Sequence, residues 1–232
     1  MKPVLVLLHG ALGSKAHFSG LIPHLSDQFE VFTLNFEGHG GNLSDSEFSI
    51  DLFSKNLVDF LVGHELKKVA VFGYSMGGYV ALYTALRHPA YFGQIVTLGT
   101  KFDWNLAAAE KEVKMLNPEV IEEKVPRFAE NLKNLHLPAD WKKVMSKTAQ
   151  LMKSMGNQPP LSTADFAQIF TPVTIGIGDA DKMVTKAESK LVADALPNST
   201  YQILPNVIHP IDRVPVDILV DYLKNELNTK RS

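Results

Sequence analysis

Short apolar runs rich in β-branched residues recur along the chain, separated by longer segments with a helical period. Within each run the apolar positions are nearly continuous, which is typical of strands buried on both faces of a parallel sheet. The pattern predicts strands over residues 3–8, 30–35, 68–72, 94–98, 172–177 and 200–204. The first run leads directly into His9-Gly10 without a small-residue cleavage site, so we expect a buried strand there rather than a signal peptide.

The segments between the runs have the three- and four-residue apolar spacing of amphipathic helices. Residues 49–66 carry Ile50, Phe53 and Leu57 at this spacing, and Ser49 is available as the N-cap. Further helices are predicted over residues 76–87, 184–196 and 211–227. Because strands and helices alternate, we expect an α/β fold: a doubly wound, mostly parallel sheet of about six strands with helices on both faces.

One long stretch interrupts this alternation. Residues 103–169 contain no convincing strand and are too long for a plain loop, so they should form structure of their own. Helices are predicted over residues 106–116, over 120–135 despite Pro126, and over 141–155. We expect these residues to form a helical cap insertion over the carboxyl ends of the strands. The core is then residues 1–102 and 170–232, and its polar tail, 230–232, is expected to be frayed.

Composition and charge exclude several classes of function. The 232 residues include 23 Lys and Arg against 25 Asp and Glu, a net charge of -2, which does not favour nucleic acid or anionic lipid as a partner. There are no cysteines, no His-x-x-x-His helix and no carboxylate cluster in the sequence, so we expect no disulfide, no metal site and no cofactor. No apolar stretch approaches the length of a membrane span, and we expect a cytoplasmic location.

The strongest chemical signal is Gly73-Tyr74-Ser75-Met76-Gly77, which matches the G-x-S-x-G pattern. It lies between a predicted strand and a predicted helix, where a strained turn with small neighbours presents a nucleophilic serine. The alternative is an ordinary glycine-rich turn with a surface serine, and the flanking elements argue against it. We therefore predict that Ser75 is a nucleophile.

A serine hydroxyl needs a base to remove its proton. Of the eight histidines, His209 follows the last predicted strand, at the edge where Ser75 also emerges, and we predict that it is the base. His39 lies in a loop at the same edge and is a candidate for substrate contact. The remaining histidines are expected at helix ends or on the surface (His64, His88 and His136) or in the first helical region (His17 and His24).

A carboxylate must fix the tautomer of the histidine and stabilise the imidazolium. Asp181 is the first choice because it follows the strand predicted over residues 172–177. Asp179 is a near rival whose alternative role is to bind the turn backbone, and Asp103 is a third candidate.

The negative charge of a tetrahedral intermediate requires hydrogen-bond donors. We assign one to the backbone N–H of Met76, at the positive end of its predicted helix. The other is assigned to the backbone N–H of Ala11, in the loop His9-Gly10-Ala11-Leu12-Gly13.

Together these motifs resemble the α/β-hydrolase superfamily, in particular its small single-domain serine esterases and lyases. Such proteins are related to carboxylesterases, enol-lactonases and the menaquinone-pathway enzyme that acts on a succinyl-cyclohexadiene carboxylate. The resemblance covers essentially the whole chain and includes the order serine, aspartate, histidine. It implies that Ser75, Asp181 and His209 form a catalytic triad and that the insertion is a cap.

The chain also departs from this family. Members often carry Asp-x-Arg-Gly-x-Gly after the second strand seen here, where this sequence has Asn35-Phe36-Glu37-Gly38-His39-Gly40, so a substrate-contacting arginine is not carried over. The chain starts at the strand that feeds the oxyanion loop, and we expect the first two strands of larger relatives to be missing.

We expect an adaptable pocket for a small molecule with an apolar acyl or alcohol group, since methionines and aromatic residues follow one face of the insertion. The alternative is that these residues pack the cap onto the body. The predicted pocket residues are His9, Leu12, His39, Tyr74, Trp141, Met145, Met152 and Met183.

Three functions are compatible with these residues. The first is hydrolysis of a small carboxylic ester through an acyl-enzyme. The second is a lyase or carbon–carbon bond hydrolase that uses the same triad for proton transfer. The third is a non-catalytic ligand-binding protein built on the same fold.

Overall fold

The computed structural model describes residues 2–228, so the predicted tail at 230–232 lies outside the described residues. Within this range one sheet contains six strands, all parallel to their neighbours, in the order β2-β1-β3-β4-β5-β6. Each predicted strand is present with its ends moved by at most two residues. The strands are β1 (Val4–Leu8), β2 (Glu30–Thr33), β3 (Val69–Tyr74), β4 (Phe92–Leu98), β5 (Val173–Gly178) and β6 (Ser199–Leu204).

This strand order creates a crevice at one edge of the sheet. The chain runs from β1 outward to β2 and then returns to pair β3 on the other side of β1, with Leu8 opposite Gly73. At such a reversal the loops after the two central strands diverge and leave space for a ligand at their carboxyl ends. The loops that begin at His9 and at Ser75 flank this crevice.

Helices cover both faces of the sheet and have separate cores. On one face, residues such as Phe53 and Leu57 of α2 pack with Val80 of α3 and with β1, β3 and β4. On the other face, Leu25 of α1 and Leu223 of α10 pack with the same strands. The doubly wound α/β fold predicted from the sequence is therefore confirmed. The helices are α1 (Ile22–Leu25), α2 (Ile50–Gly63), α3 (Met76–Arg87), α4 (Leu106–Val113), α5 (Pro118–Lys124), α6 (Pro126–His136), α7 (Trp141–Asn157), α8 (Thr163–Phe166), α9 (Lys186–Ala195) and α10 (Val216–Asn228).

Two predicted helices are wrong in their bounds, and proline is the reason in both. The helix predicted over residues 120–135 is two helices, because Val125 leaves the helical conformation and Pro126 begins α6. Proline lacks the N–H of an interior helical residue but suits the first turn. The helix predicted over 211–227 is a short turn at Ile211–Arg213, followed after Pro215 by α10.

The segment between β4 and β5, residues 103–169, contains α4 to α8 and is called the insertion below. It contains α8 (Thr163–Phe166), which the pattern did not predict and which begins with a capping box between Ser162 and Asp165. Lys147 Nζ contacts the core, donating to the carbonyl oxygens of Ser44 at 3.0 Å and Ser46 at 2.8 Å.

Over residues 2–228, none of the helices combines the length and the apolar character needed to cross a membrane.

The packing of α2 gives a direct test of the fold. Leu57 is fully buried between α2 and the sheet, so Leu57→Ala should lower the free energy of unfolding by about 2–5 kcal/mol. Leu191 lies on α9 with 71% of its surface exposed, and Leu191→Ala should change stability by less than about 0.5 kcal/mol. Urea unfolding of both variants measures the difference, and equal losses would contradict this packing.

Candidate active site

Ser75 occupies a one-residue turn between β3 and α3. Its φ is 51°, the left-handed region that a residue with a side chain rarely adopts. Backbone bonds fix this turn: Ser75 N–H donates to Leu98 O at 2.9 Å, and Gly78 N–H donates to Ser75 O at 3.0 Å. The hydroxyl of Thr100 also donates to Ser75 O at 3.0 Å. A strained residue held by several bonds is a frequent feature of functional sites.

Glycines on either side of Ser75 are required by close approach of the backbone. A Cβ at Gly73 would lie 2.5 Å from Gly78, and a Cβ at Gly77 would lie 2.4 Å from the carbonyl oxygen of Leu8. The missing side chains therefore let α3 begin directly against β1 and β3. This explains in steric terms why the motif places glycines at these positions.

His209 and Asp181 meet Ser75 at this edge of the sheet. His209 Nε2 lies 3.3 Å from Ser75 Oγ, and His209 Nδ1 lies 2.8 Å from Asp181 Oδ2. The side chains of His209 and Asp181 are 11% and 2% exposed. The hydroxyl of Tyr74 donates to the His209 carbonyl at 2.7 Å and so fixes the loop that carries the imidazole.

The carboxylate of Asp181 is oriented by hydrogen bonds other than the one to His209. Its Oδ1 accepts from the backbone N–H groups of Met183 at 2.8 Å and Val184 at 2.9 Å. Burial by itself would raise the pKa of Asp181, but the hydrogen bond and charge of His209 and these two N–H groups outweigh it and lower the pKa. An ionised Asp181 accepts the Nδ1–H of His209, which leaves the lone pair of Nε2 facing Ser75 Oγ.

The two alternative carboxylates lie elsewhere. Asp179 Oδ1 accepts from Asn206 N–H at 2.6 Å and so binds the turn backbone. Asp103 Oδ1 accepts from the side-chain amide of Asn105 at 3.0 Å. Of the three candidates, Asp181 is the one hydrogen-bonded to His209.

Ala11 and Met76 line the same cavity as Ser75. Met76 is the first residue of α3, where N–H groups have no partner within the helix. The loop of Ala11 turns through a bond from Gly13 N–H to Gly10 O at 3.1 Å, and Leu12 has a φ of 57°. Both predicted donors are thus in loops or helix ends that border the serine.

His136 joins the insertion to this loop, although the sequence suggested a surface or capping position. It is fully buried at the end of α6. Gly40 N–H donates to His136 Nδ1 at 3.1 Å, so the proton lies on Nε2, which donates to Leu12 O at 3.1 Å. One imidazole therefore bridges the loop after β2 and the loop after β1.

Two cavities meet at Ser75. An inner cavity of about 50 Å³ extends beneath α4 and α7, and an outer cleft of about 690 Å³ opens to solvent. Both are lined by Ala11, Ser75, Met152, Met183 and His209. The inner cavity adds residues that include Met76, Tyr79, Lys101, Trp104, Glu112 and Met155. The outer cleft adds residues that include Leu12, His17, Tyr74, Phe128, Leu132 and Asp212.

Four of the eight predicted pocket residues line these cavities, namely Leu12, Tyr74, Met152 and Met183. Trp141 and Met145 do not, because they pack with Ile121 and Leu132 inside the insertion. This packing joins helices of the insertion to one another, whereas the alternative considered from the sequence was packing of the cap onto the body.

His9 and His39 are also wrong as pocket residues, because both are fully buried. Phe36 N–H donates to His9 Nε2 at 3.1 Å, and His9 Nδ1–H donates to Gly10 O at 2.8 Å. The ring of His39 stacks on Phe48 at 5.0 Å, and its Nδ1–H donates to Glu37 O at 3.1 Å. Burial lowers the pKa of His9 well below its usual range and lowers that of His39 to about 3.

Lys101 and Glu112 line the inner cavity and were missed from the sequence. Lys101 lies three residues after β4, at the edge where ligands bind, and this position was an available signal. Glu112 follows Ala109 by three residues on the buried face of α4, where a charged residue interrupts an apolar stripe. Among residues 2–228 no group of three or more His, Cys, Asp or Glu side chains is placed to hold a metal ion.

The sequence matches a protein-family model described as alpha/beta hydrolase fold over residues 3–140, more than half of the chain. The chain belongs to the α/β-hydrolase family. The matched range includes Ser75 and ends before Asp181 and His209. Family membership and the enzymes among the relatives support an enzyme of the hydrolase type.

The relatives carry out several reactions according to their names. A probable alcohol acetyltransferase of Cyberlindnera jadinii is 34% identical over 102 residues, 41% of this chain and 28% of the relative. The 2-succinyl-6-hydroxy-2,4-cyclohexadiene-1-carboxylate synthase of Enterobacter sp. strain 638 is 34% identical over 88 residues, 38% of this chain and 34% of the relative. The matches thus span about a quarter to a third of the length of these curated relatives.

Solved structures extend the similarity of the fold to the whole chain. NosK from Streptomyces actuosus has a TM-score of 0.84 with 100% of both chains covered and 20% sequence identity. At this identity the comparison establishes the shared fold.

The buried histidines predict a loss of stability in acid. An unfolded histidine binds a proton as the pH falls through about 6.5, whereas folded His39 stays neutral until about pH 3, so the unfolded state gains protons first. At pH 5 this difference should cost the folded protein about 2 kcal/mol relative to pH 7 from His39. Urea unfolding at both pH values should show a smaller loss for His39→Gln. Identical losses in the two proteins would contradict this account.

Proposed function

We propose that this chain is a serine hydrolase that cleaves a small carboxylic ester through an acyl-enzyme. The observation that carries the proposal is the continuous contact from Ser75 Oγ to His209 Nε2 at 3.3 Å and from His209 Nδ1 to Asp181 Oδ2 at 2.8 Å. A hydroxyl, a base and an orienting carboxylate in this arrangement are what nucleophilic acyl transfer requires.

In the first half of the proposed reaction, Ser75 Oγ attacks the ester carbonyl while His209 Nε2 takes the hydroxyl proton. The carbonyl oxygen becomes an oxyanion, for which the N–H groups of Ala11 and Met76 are the proposed donors. Collapse of the intermediate breaks the ester C–O bond. The proton on His209 passes to the leaving alcohol, and the acyl group stays on Ser75.

In the second half, a water molecule takes the place of the alcohol. His209 removes a proton from this water as its oxygen attacks the acyl carbonyl, and the acid leaves as Ser75 Oγ recovers its proton. Asp181 remains ionised throughout and stabilises the imidazolium, in agreement with its lowered pKa.

The two cavities suggest how the substrate divides. We assign the acyl group to the inner cavity of about 50 Å³ and the alcohol to the outer cleft of about 690 Å³. The inner cavity limits the acyl group to a short chain. In this proposal the insertion, residues 103–169, is the cap, because α4 and α7 cover the inner cavity.

Transfer of the acyl group to an alcohol is a second candidate function. It uses the same acyl-enzyme, but an alcohol attacks in place of water. The small inner cavity beside a large cleft lined by Leu12, Phe128 and Leu132 favours an apolar acceptor. A relative named as a probable alcohol acetyltransferase supports this reading. With ethanol and a short acyl ester, formation of the ethyl ester alongside the free acid would distinguish transfer from hydrolysis.

A lyase or carbon–carbon hydrolase remains the alternative predicted from the sequence. The similarity to the 2-succinyl-6-hydroxy-2,4-cyclohexadiene-1-carboxylate synthase supports this alternative. Labelling of Ser75 by a fluorophosphonate without turnover of any simple ester would favour this alternative.

Labelling and turnover test the proposed function together. A fluorophosphonate should label Ser75, and Ser75→Ala should lose labelling and at least about four orders of magnitude in kcat, because no nucleophile remains. The control is Ser26→Ala, since Ser26 is exposed and follows α1 at the opposite edge of the sheet. If the folded parent protein resists the probe and hydrolyses no short ester, the proposal is wrong.

The bridge made by His136 predicts a second effect. His136→Leu removes the bonds to Gly40 N–H and Leu12 O and should lower kcat by about tenfold or more with little change in KM, because the Ala11 N–H is less well placed. His136→Gln can accept from one group and donate to the other, so it should restore much of kcat. Equal rates for the Leu variant and the parent would contradict the effect, as would a Gln variant no better than the Leu variant.

A further inference from the structure

The inner cavity contains a pair of charged side chains apart from Asp181 and His209. Lys101, from the loop after β4, and Glu112, on α4 of the insertion, both line it with Ser75. Lys101 Nζ lies 3.8 Å from Glu112 Oε1, an ion pair without a hydrogen bond. The rest of the lining is mainly apolar, including Met152, Met155 and Leu151.

Glu112 is buried without hydrogen-bond donors. Its side chain is 2% exposed, and among the described residues neither carboxylate oxygen has a hydrogen-bond partner. A buried carboxylate is costly unless its lone pairs receive donors, and charge pairing at 3.8 Å supplies attraction without them. An O–H or N–H group bound in the cavity would supply such a donor to Glu112.

Lys101 also has spare bonding capacity. An ammonium has three N–H donors, and Lys101 Nζ donates within the described residues to the carbonyl oxygen of Met183 at 3.5 Å, the outer limit of a hydrogen bond. Its Nζ lies 5.9 Å from the centre of the Trp104 ring, which adds a weak electrostatic contact. The pair therefore offers both a donor and an acceptor to a group in the cavity.

The charge of the pair limits the chemistry of that group. The charges of Lys101 and Glu112 sum to zero. A cationic or anionic substituent would therefore bring an uncompensated charge into a buried space. A neutral hydroxyl can donate to Glu112 and accept from Lys101 Nζ–H at the same time. The volume of about 50 Å³ requires that the hydroxyl be carried on a short chain.

We propose that the Lys101–Glu112 pair is a subsite for a hydroxyl group on a short acyl chain, so that the preferred substrates are esters of short hydroxy acids. This inference rests on the proposed function, because it takes Ser75 as the atom that receives the acyl group. It adds the class of acyl group that the enzyme selects.

Two esters of equal size test the subsite. The acyl chain of nitrophenyl butanoate ends in a methyl group. In nitrophenyl 3-hydroxypropanoate a terminal hydroxyl takes the place of that methyl. The parent enzyme should favour the hydroxy ester by at least about tenfold in kcat/KM, since hydrogen bonds to charged partners are among the strong ones.

The double variant Lys101→Met with Glu112→Leu should lose this preference, read as the ratio of its own kcat/KM values for the two esters. Both residues are changed together so that no unpaired charge is left buried. Glu110→Leu is the matched control, because Glu110 lies on the same helix and is exposed, and it should keep the preference. Glu112→Gln keeps the shape of the side chain without its charge and should reduce the preference, which provides a second variant if the double variant does not fold.

Fluorophosphonate labelling of Ser75 in each protein separates the two proposals. If the parent is labelled and hydrolyses both esters equally, the hydroxyl subsite is refuted and the serine hydrolase remains. The same conclusion follows if the double variant keeps the full preference. Where the double variant does not fold, the full preference in Glu112→Gln has the same meaning. If the parent is neither labelled nor active on any ester, the proposed function fails, and the subsite fails with it.

Discussion

A strand that ends at Tyr74 and a helix that begins at Met76 leave a single residue to turn the chain, and that residue adopts a positive φ. This geometry is unfavourable for serine, so the bonds around the turn must hold it. Glycines at positions 73 and 77 allow the strand, the helix and β1 to approach closely enough for those bonds to form. The position of the Ser75 hydroxyl follows from this turn.

The polar groups that surround Ser75 are fixed by hydrogen bonds between side chains and the backbone. Asp181 is held by two N–H groups of its own turn, and the loop of His209 is held by the hydroxyl of Tyr74. Orientation of this kind is present before any ligand arrives, so the proposed reaction needs little reorganisation as charge develops. The parallel sheet contributes because every strand delivers its following loop to the same edge.

Buried polar side chains join the insertion to the core. Its helices are mostly held together by apolar contacts, yet two buried polar residues face the core. His136 binds backbone groups of two core loops, and Glu112 pairs with Lys101 at 3.8 Å in the lining of the inner cavity. Buried polar groups are costly unless they have partners, so their positions relative to the core loops are strongly constrained. The space beside Ser75 is therefore shaped by residues far apart in the sequence.

The sequence by itself determined the six strands, the serine turn and the candidacy of His209 and Asp181, because hydrophobic period and short turn motifs are local properties. Tertiary structure alone decided which carboxylate meets the imidazole, since Asp179 and Asp181 are two residues apart and differ only in what they contact. It also decided which histidines are buried and which apolar residues line a cavity. An apolar helical face predicts that its side chains are buried. Whether those side chains contact another helix or a substrate depends on the packing of distant segments.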